Sequence, residues 1–184
     1  MQCSLLSLGC VFGFAPPTDS TLTALRALKI AQRRLRPEVR SKLLSISSAR
    51  TDATLVPEAW RFVFLDPETS SHCRVVIVAA KASSEHPDTV AAFSSTQSEN
   101  VALLQAIPQN KLFFDSNKVL ERVRETSKLK GSLSAEYRLL QPRNGRETAW
   151  HLSFYAEAME PIASFRVGAK TGAIQFVGNN VNAN

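Results

Sequence analysis

The sequence predicts an α+β fold of two repeated units, each with one helix packed on an antiparallel sheet of three to four strands. Two observations predict it. The stretch AWRFVFLD at 59–66 returns ninety residues later as AWHLSFYA at 149–156, each a Trp followed by alternating aromatic or aliphatic residues. Each copy follows a helical apolar period and precedes an apolar strand-like run, so both halves read helix, strand, aromatic strand, strand. One unit of about 60 residues would be marginally stable alone, and two packed together ease that. The chain divides into a leader over 1–17, a first unit over 18–81, a linker over 82–111, a second unit over 112–178 and a tail over 179–184.

The elements follow in order. After Pro16 and Pro17, the residues Thr18, Asp19 and Ser20 supply helix caps. Leu25, Leu28, Ala31 or Gln32, and Leu35 then recur at spacings of three and four, as on an amphipathic helix that Pro37 ends. Lys42 to Ala49 alternates loosely as a strand, with Leu44 and Ile46 on one side. Trp60, Phe62 and Phe64 alternate with Arg61 and Val63, as a half-buried strand requires. Asp66 to Ser71 has turn chemistry, and Arg74 to Ala79 is an apolar strand that completes a hairpin. Ala82 to Asn100 reads as a loop, with a short helix over Val101–Ile107 before Pro108. In the second half, Asp115 or Ser116 caps a helix carrying Val119, Leu120 and Val123. Leu133, Ala135, Tyr137 and Leu139 alternate as a strand, and Arg143 to Arg146 turns the chain. Trp150, Leu152 and Phe154 form the next strand, Ile162 to Ala169 another, and Ala173–Val177 a last short one.

The chain carries a net charge of +6, and its location is uneven. Arg26, Lys29, Arg33, Arg34, Arg36, Arg40, Lys42 and Arg50 stand against the single acid Glu38, so 26–50 is +7. Residues 51–184 hold 14 basic and 14 acidic side chains and sum to zero. Arg26, Lys29, Arg33, Arg34, Arg36 and Arg40 are therefore the candidate patch for an anionic partner, whether lipid head group, acidic peptide or nucleic acid. The plainer reading is a solvated helix face whose cations complement the helix C-terminus. The neutral remainder and the absence of a recognition motif disfavour nucleic acid.

The first sixteen residues, MQCSLLSLGCVFGFAP, are apolar and uncharged, shorter than the about 20 that span a bilayer. They resemble the hydrophobic region of an export signal, and Ser7-Leu8-Gly9-Cys10 resembles a lipobox, with Cys10 as the residue for lipid attachment and membrane association. The first basic residue is Arg26, so the usual basic region before such a segment is missing, and an apolar N-terminal strand is the other reading. Cys3, Cys10 and Cys73 form no disulfide framework and no paired C-x-x-C, and Cys73 reads as a buried small hydrophobe.

Three stretches carry a family resemblance. Phe113-Phe114-Asp115-Ser116-Asn117-Lys118-Val119-Leu120, Ala149-Trp150-His151-Leu152-Ser153-Phe154, and Val167-Gly168-Ala169-Lys170-Thr171-Gly172-Ala173-Ile174 resemble the helix opening, Trp strand and Thr-Gly hairpin of PepSY-like domains. Gly168 departs from the Asp usual there, and the first half lacks the Thr-Gly turn. The resemblance spans about 20–80 and 112–178. It implies an exported, non-catalytic module of helix-on-sheet units without cofactor, associated with peptidase propeptides and inhibitory or regulatory contacts at the cell envelope.

No catalytic constellation emerges. His72, His86 and His151 have no i, i+4 partner, and no H-E-x-x-H, G-x-S-x-G or phosphate-binding glycine loop is present. Asp66 with Glu68, or Glu157 with Glu160, is explained more simply by turn chemistry than as an acid pair. Trp60, Trp150, Phe62 and Phe154 at period two read as core rather than an exposed platform. Arg61 and Arg74 read as the polar side of that sheet, and His151 as a solvated strand residue. The sequence thus points to a non-enzymatic binding module for a protein or peptide partner, reached through a sheet edge or the surface between the units. The alternative is a cytosolic basic protein that binds nucleic acid or another polyanion through the first helix.

Overall fold

The structure is a computed structural model that describes residues 21–81, 89–95, 104–143, 146–157 and 160–178. Among these residues the elements run α1 (Ala24–Gln32), α2 (Pro37–Arg40), β1 (Leu43–Ser48), β2 (Ala59–Leu65), β3 (Cys73–Lys81), β4 (Thr89–Ser95), α3 (Ser116–Thr126), β5 (Ser134–Leu140), β6 (Ala149–Tyr155), β7 (Ala163–Gly168) and β8 (Ile174–Phe176). All eight strands join in one antiparallel sheet, ordered β4-β3-β2-β1-β5-β6-β7-β8. The fold is therefore α+β, but with one continuous sheet where two of three to four strands were expected. The seam is β1 against β5, where Ile46 pairs with Leu139.

Strand alternation sends the large residues to one side. Trp60, Phe62 and Phe64 of β2, Val76 and Val78 of β3, Tyr137 and Leu139 of β5, and Trp150, Leu152 and Phe154 of β6 are all buried in one cluster. Helices α1 and α3 cover that face through Ala24, Ala27, Leu28 and Ala31, and through Val119, Leu120 and Val123. The alanines let α1 approach the sheet closely, while the aromatic rings supply the apolar area. Trp60 packs edge-on against both Trp150 and Tyr137, at centroid distances of 6.2 and 5.7 Å. The expected core reading of the two Trp and the Phe residues holds.

The two tryptophans also bond alike. Trp60 Nε1 donates to the Leu22 carbonyl at 2.7 Å, and Trp150 Nε1 to the Phe114 carbonyl at 2.9 Å. Leu22 and Phe114 each stand one residue before a helix N-cap, Thr23 for α1 and Asp115 for α3. The helix starts themselves are tied together. The Asp115 carboxylate accepts from its own helix at Ser116 N (2.7 Å) and from Leu25 N of α1 (3.0 Å), while Ser116 Oγ accepts from Ala24 N (3.0 Å). Two first turns, each short of partners for its N–H groups, thus share one carboxylate and one hydroxyl.

Several expectations need correction. The cap of α1 is Thr23, and Thr18, Asp19 and Ser20 lie outside the described residues. Helix α1 ends at Gln32, and Pro37 opens α2 instead of closing α1, since a first-turn proline loses no hydrogen bond. Leu44 and Ile46 do not share a side. The register slips between Leu43 and Ser45, so Leu43 and Ile46 meet the helices while Leu44 packs with Val63, Cys73 and Val75 on the other face. Cys73 is buried there, as its apolar setting predicts. The stretch read as a linker contains β4, paired along β3, and a 3-10 turn at Gln109–Lys111. No helix forms at 104–107, where Ile107 N donates to the Leu43 carbonyl and its side chain enters the core.

Near the C-terminus, Gly172 adopts φ +67°, and an added Cβ would sit 2.3 Å from the Phe114 ring. At Gly168 an added Cβ would lie 2.5 Å from Thr171 Oγ1, so a side chain there would have to move the Thr171 hydroxyl.

Two outcomes follow for equilibrium urea unfolding. Asp115→Ala removes a shared acceptor from both helices and lowers stability by about 2 kcal/mol. Gly172→Ala strains the turn and displaces the Phe114 ring, again costing about 2 kcal/mol, whereas Gly131→Ala, at φ +91° but with nothing within 4 Å, strains the backbone alone and displaces no neighbour.

Candidate functional site

The same alternation that fills the helix-bearing face sends the polar residues of β1, β2, β5, β6 and β7 to the opposite one. Register then decides which of them meet. Ile77 pairs with Arg61, Arg61 with Ser47, Ser47 with Arg138, Arg138 with His151, His151 with Arg166, and Arg166 with Gln175. Directly paired residues point to one side, so these seven form a single row across the strands. Three of them are arginines, and none is an acid. Each arginine is two strands from the next, about 10 Å at the usual spacing between strands.

Among the described residues no helix covers this row. Arg138 is exposed, Ser47, Arg61, His151 and Arg166 are half-buried, and Ile77 is 37% exposed. An open groove of about 470 Å³ runs over β1, β5 and β6, lined in part by Ser47, Arg138, His151 and Ser153. Neither Arg138 nor Arg166 forms an ion pair among the described residues, and Arg166 Nη2 donates to the neutral Glu147 carbonyl at 2.9 Å. His151 lies between these two arginines. Burial first, then the charges of Arg166 and Arg138, hold its imidazole below the usual range, so at neutral pH it is an uncharged hydrogen-bonding group.

The groups flanking the row are engaged. Glu136 accepts from Tyr155 Oη at 2.9 Å, and the Arg50 guanidinium covers the Tyr155 ring at 4.2 Å. Ser153 and Ser164 hydroxyls bond each other at 3.1 Å. At one end, Leu104 packs toward Leu44, Val63 and Val75, and Arg143 Nε donates to the Leu104 carbonyl.

Part of the basic patch predicted from the sequence is engaged within the fold. Arg36 pairs with Asp66 at 2.9 Å and with Glu68, and Arg40 Nε donates to the Leu35 carbonyl. Arg26, in the first turn of α1, Lys29, in its last turn, and Arg33 and Arg34, just after it, are exposed. Arg74 is not on the open face with Arg61. It pairs across the strands with Phe64 and binds the Asp66 carboxylate at 3.0 Å. Asp66 is fully buried between Arg36 and Arg74. The suggested Asp66–Glu68 acid pair is thus an ion-pair cluster closing the β2–β3 turn. Glu157 and Glu160 are exposed, and Cys10 and His86 lie outside the described residues.

A second, smaller pocket of about 90 Å³ lies beside the joined helix starts, lined by Thr23, Leu55, Asn117, Leu120 and Tyr137 among others. Tyr137 Oη donates to the carbonyl of Leu55, which is held at φ +62°, and burial pushes the phenol pKa up. Asn117 Oδ1 is buried there without a partner among the described residues. Among the described residues, no three His, Cys, Asp or Glu side chains gather as metal ligands, and no helix is long and apolar enough to cross a membrane.

Sequence reasoning missed Arg138, His151 and Arg166 as a set. The available signal was their alternate position on three successive strands, and only register turns that into a row. No family model, curated protein or solved structure matches the chain.

The Asp66 cluster sets an acid limit on stability. Burial raises the carboxyl pKa, but the Arg74 hydrogen bond, the Glu68 N–H and the charges of Arg36 and Arg74 outweigh it and hold it below the ordinary value. This contribution is present above the unfolded value of about 3.9 and is lost as pH falls through the lower folded value. Urea midpoints measured from pH 5 to 2 should fall, and Asp66→Asn should start lower and flatten that slope. An unchanged slope would remove Asp66 from the account.

Proposed function

We propose that this chain is an exported, non-catalytic binding or regulatory module that takes a protein partner on the open face of its sheet. A peptidase or another protein of the cell envelope is the kind of partner it would modulate. The observation that carries the reading is the row Arg61, Ser47, Arg138, His151, Arg166 on a face that no described helix covers. An antiparallel sheet covered on one side keeps the other for solvent or for a partner. Arg138 and Arg166 have no ionic partner among the described residues, which leaves both guanidiniums for an anionic group on a partner.

The reading includes two copies of a PepSY-like helix-on-sheet unit, joined at β1 and β5. Three features support it: the AWRFVFLD and AWHLSFYA strands, the matched bonds from Trp60 and Trp150 to the carbonyls before each helix, and a strand order that runs outward from the seam in each half. Export rests on the apolar first sixteen residues, with Cys10 as the position for lipid attachment. The rival reading, a cytosolic nucleic-acid binder acting through α1, keeps Arg26, Lys29, Arg33 and Arg34 but gives up Arg36 to Asp66 and Glu68.

A photo-crosslinking residue placed at Ser47, on the open face, or at Lys29, on α1, separates the two. In the native host, a protein adduct should form from Ser47 and not from Lys29. Once identified and purified, that protein should bind the wild-type chain and not Arg138→Glu. Adducts from Lys29 alone, or nucleic acid as the crosslinked species, would overturn the reading. Intact mass in the envelope fraction should show a chain shortened near Cys10 or Ala15.

A further inference from the structure

The chemistry of the row narrows the partner, on the premise that the open face is where the partner binds. We infer that the face receives an acidic, extended segment of the partner protein, laid across the strands, with a carboxylate at about every third residue so that two successive carboxylates meet Arg138 and Arg166.

Spacing is the first argument. The three arginines stand two strands apart each time, about 9.5–10 Å, because neighbouring strands lie about 4.8 Å apart. A polyproline-II segment rises about 3.1 Å per residue with three residues per turn, so every third side chain returns to one side after about 9.3 Å. The two repeats match between Arg138 and Arg166.

Charge is the second. The row holds three guanidiniums and no acid, and Arg138 and Arg166 have no ionic partner among the described residues. A guanidinium fork is matched to a carboxylate, which can accept two parallel N–H bonds. Between the arginines stand Ser47 and His151, a hydroxyl and a neutral imidazole, which suit the backbone groups of a chain crossing above them. Glu136, the nearest acid on β5, lies in the adjacent row and is held by the Tyr155 hydroxyl.

The missing chemistry argues for a peptide over single-stranded nucleic acid. Strand binding without sequence preference relies on aromatic faces for stacking bases. On the open face, Tyr155 is already covered by Arg50, and the register places Phe93 of β4 beyond Ile77, four strands from Arg138, so no Phe, Tyr or Trp position alternates with the arginines along the row. The large rings lie on the opposite face, under the helices.

The test is a fluorescence-anisotropy titration of the purified full chain at about physiological salt. The probes are a labelled peptide of six Glu-Pro-Pro repeats, a peptide of the same composition with its glutamates in one block, and a 20-nucleotide DNA, single-stranded and duplex. The periodic peptide should bind more tightly than the block peptide and than either DNA. Arg138→Gln and Arg166→Gln should each weaken it about tenfold or more. The triple variant Lys29→Gln, Arg33→Gln, Arg34→Gln should bind within about twofold of wild type, because solvated helix charges contribute little. Thermal unfolding of Arg138→Gln should match wild type, since the side chain is exposed. No binding of the periodic peptide, equal binding of the two peptides, tighter binding of DNA, or an equal loss in the helix variant would each overturn the inference. If the Ser47 crosslinker captures a protein that binds the wild-type chain and not Arg138→Glu while both peptides are ignored, the acidic segment is wrong and the open-face reading stands. If the adduct forms only from Lys29, the open-face reading itself fails.

Discussion

Asp115 stands where two helices begin, and much of the structure follows from that meeting. Its carboxylate takes an N–H from α3 and another from α1, ninety positions apart in the chain, and the Ser116 hydroxyl adds a second bond between the helices. Each helix end carries partial positive charge, so placing two ends together would repel without a shared anion. Beneath the junction, Trp60 and Trp150 lie edge to face and send their indole N–H groups up to Leu22 and Phe114, just before the two caps. The helices are thereby fixed to each other and to the sheet by the same few residues. A continuous core becomes possible across β1 and β5.

That core uses up the apolar residues on one side. Alanines of α1 and valines of α3 lie over the rings of β2, β5 and β6, and few apolar side chains remain for a second layer. Among the described residues, the opposite face has a small buried apolar cluster, Leu44, Val63, Cys73 and Val75, at one end. A sheet built this way has a stable side and an available side. Because register is fixed by the buried face, polar residues on the other face are held on a rigid grid. Arg61, Arg138 and Arg166 owe their alignment to Phe62, Leu139 and Val167 packing beneath them. Recognition groups carried on strands are positioned more firmly than groups on loops.

The strands with strong alternation were legible from the sequence. Trp60-Arg61-Phe62 and Trp150-His151-Leu152 announce both a strand and its buried side, and Asp115 announces its helix. Other elements were not legible because tertiary pairing, not local pattern, makes them. Thr89–Ser95 has no strong period of its own and becomes a strand by pairing along β3. The bulge at Leu44 cannot be read from Leu-Leu-Ser-Ile, since only the partner strand decides which leucine turns inward. The joining of eight strands into one sheet depends on the β1–β5 seam, where Ser45, Ile46 and Ser47 meet Leu140, Leu139 and Arg138 across nearly a hundred residues.

Charge shows the same limit more sharply. Counted along the chain, the positive excess belongs to 26–50 and the remainder is neutral. Folding inverts the significance of those numbers. Arg36 is drawn into the Asp66 cluster and Arg40 turns to the Leu35 carbonyl, so the basic segment is partly consumed by structure. The neutral remainder is neutral only as a sum. Its acids are distributed to turns, helix surfaces and flanking rows, while three of its arginines fall on one line across the sheet. A partner within a Debye length senses that line and not the total, because screening at physiological salt confines the field to about 8 Å. The local sign of a surface is thus a product of register, and a chain can present a cationic site from its charge-balanced part.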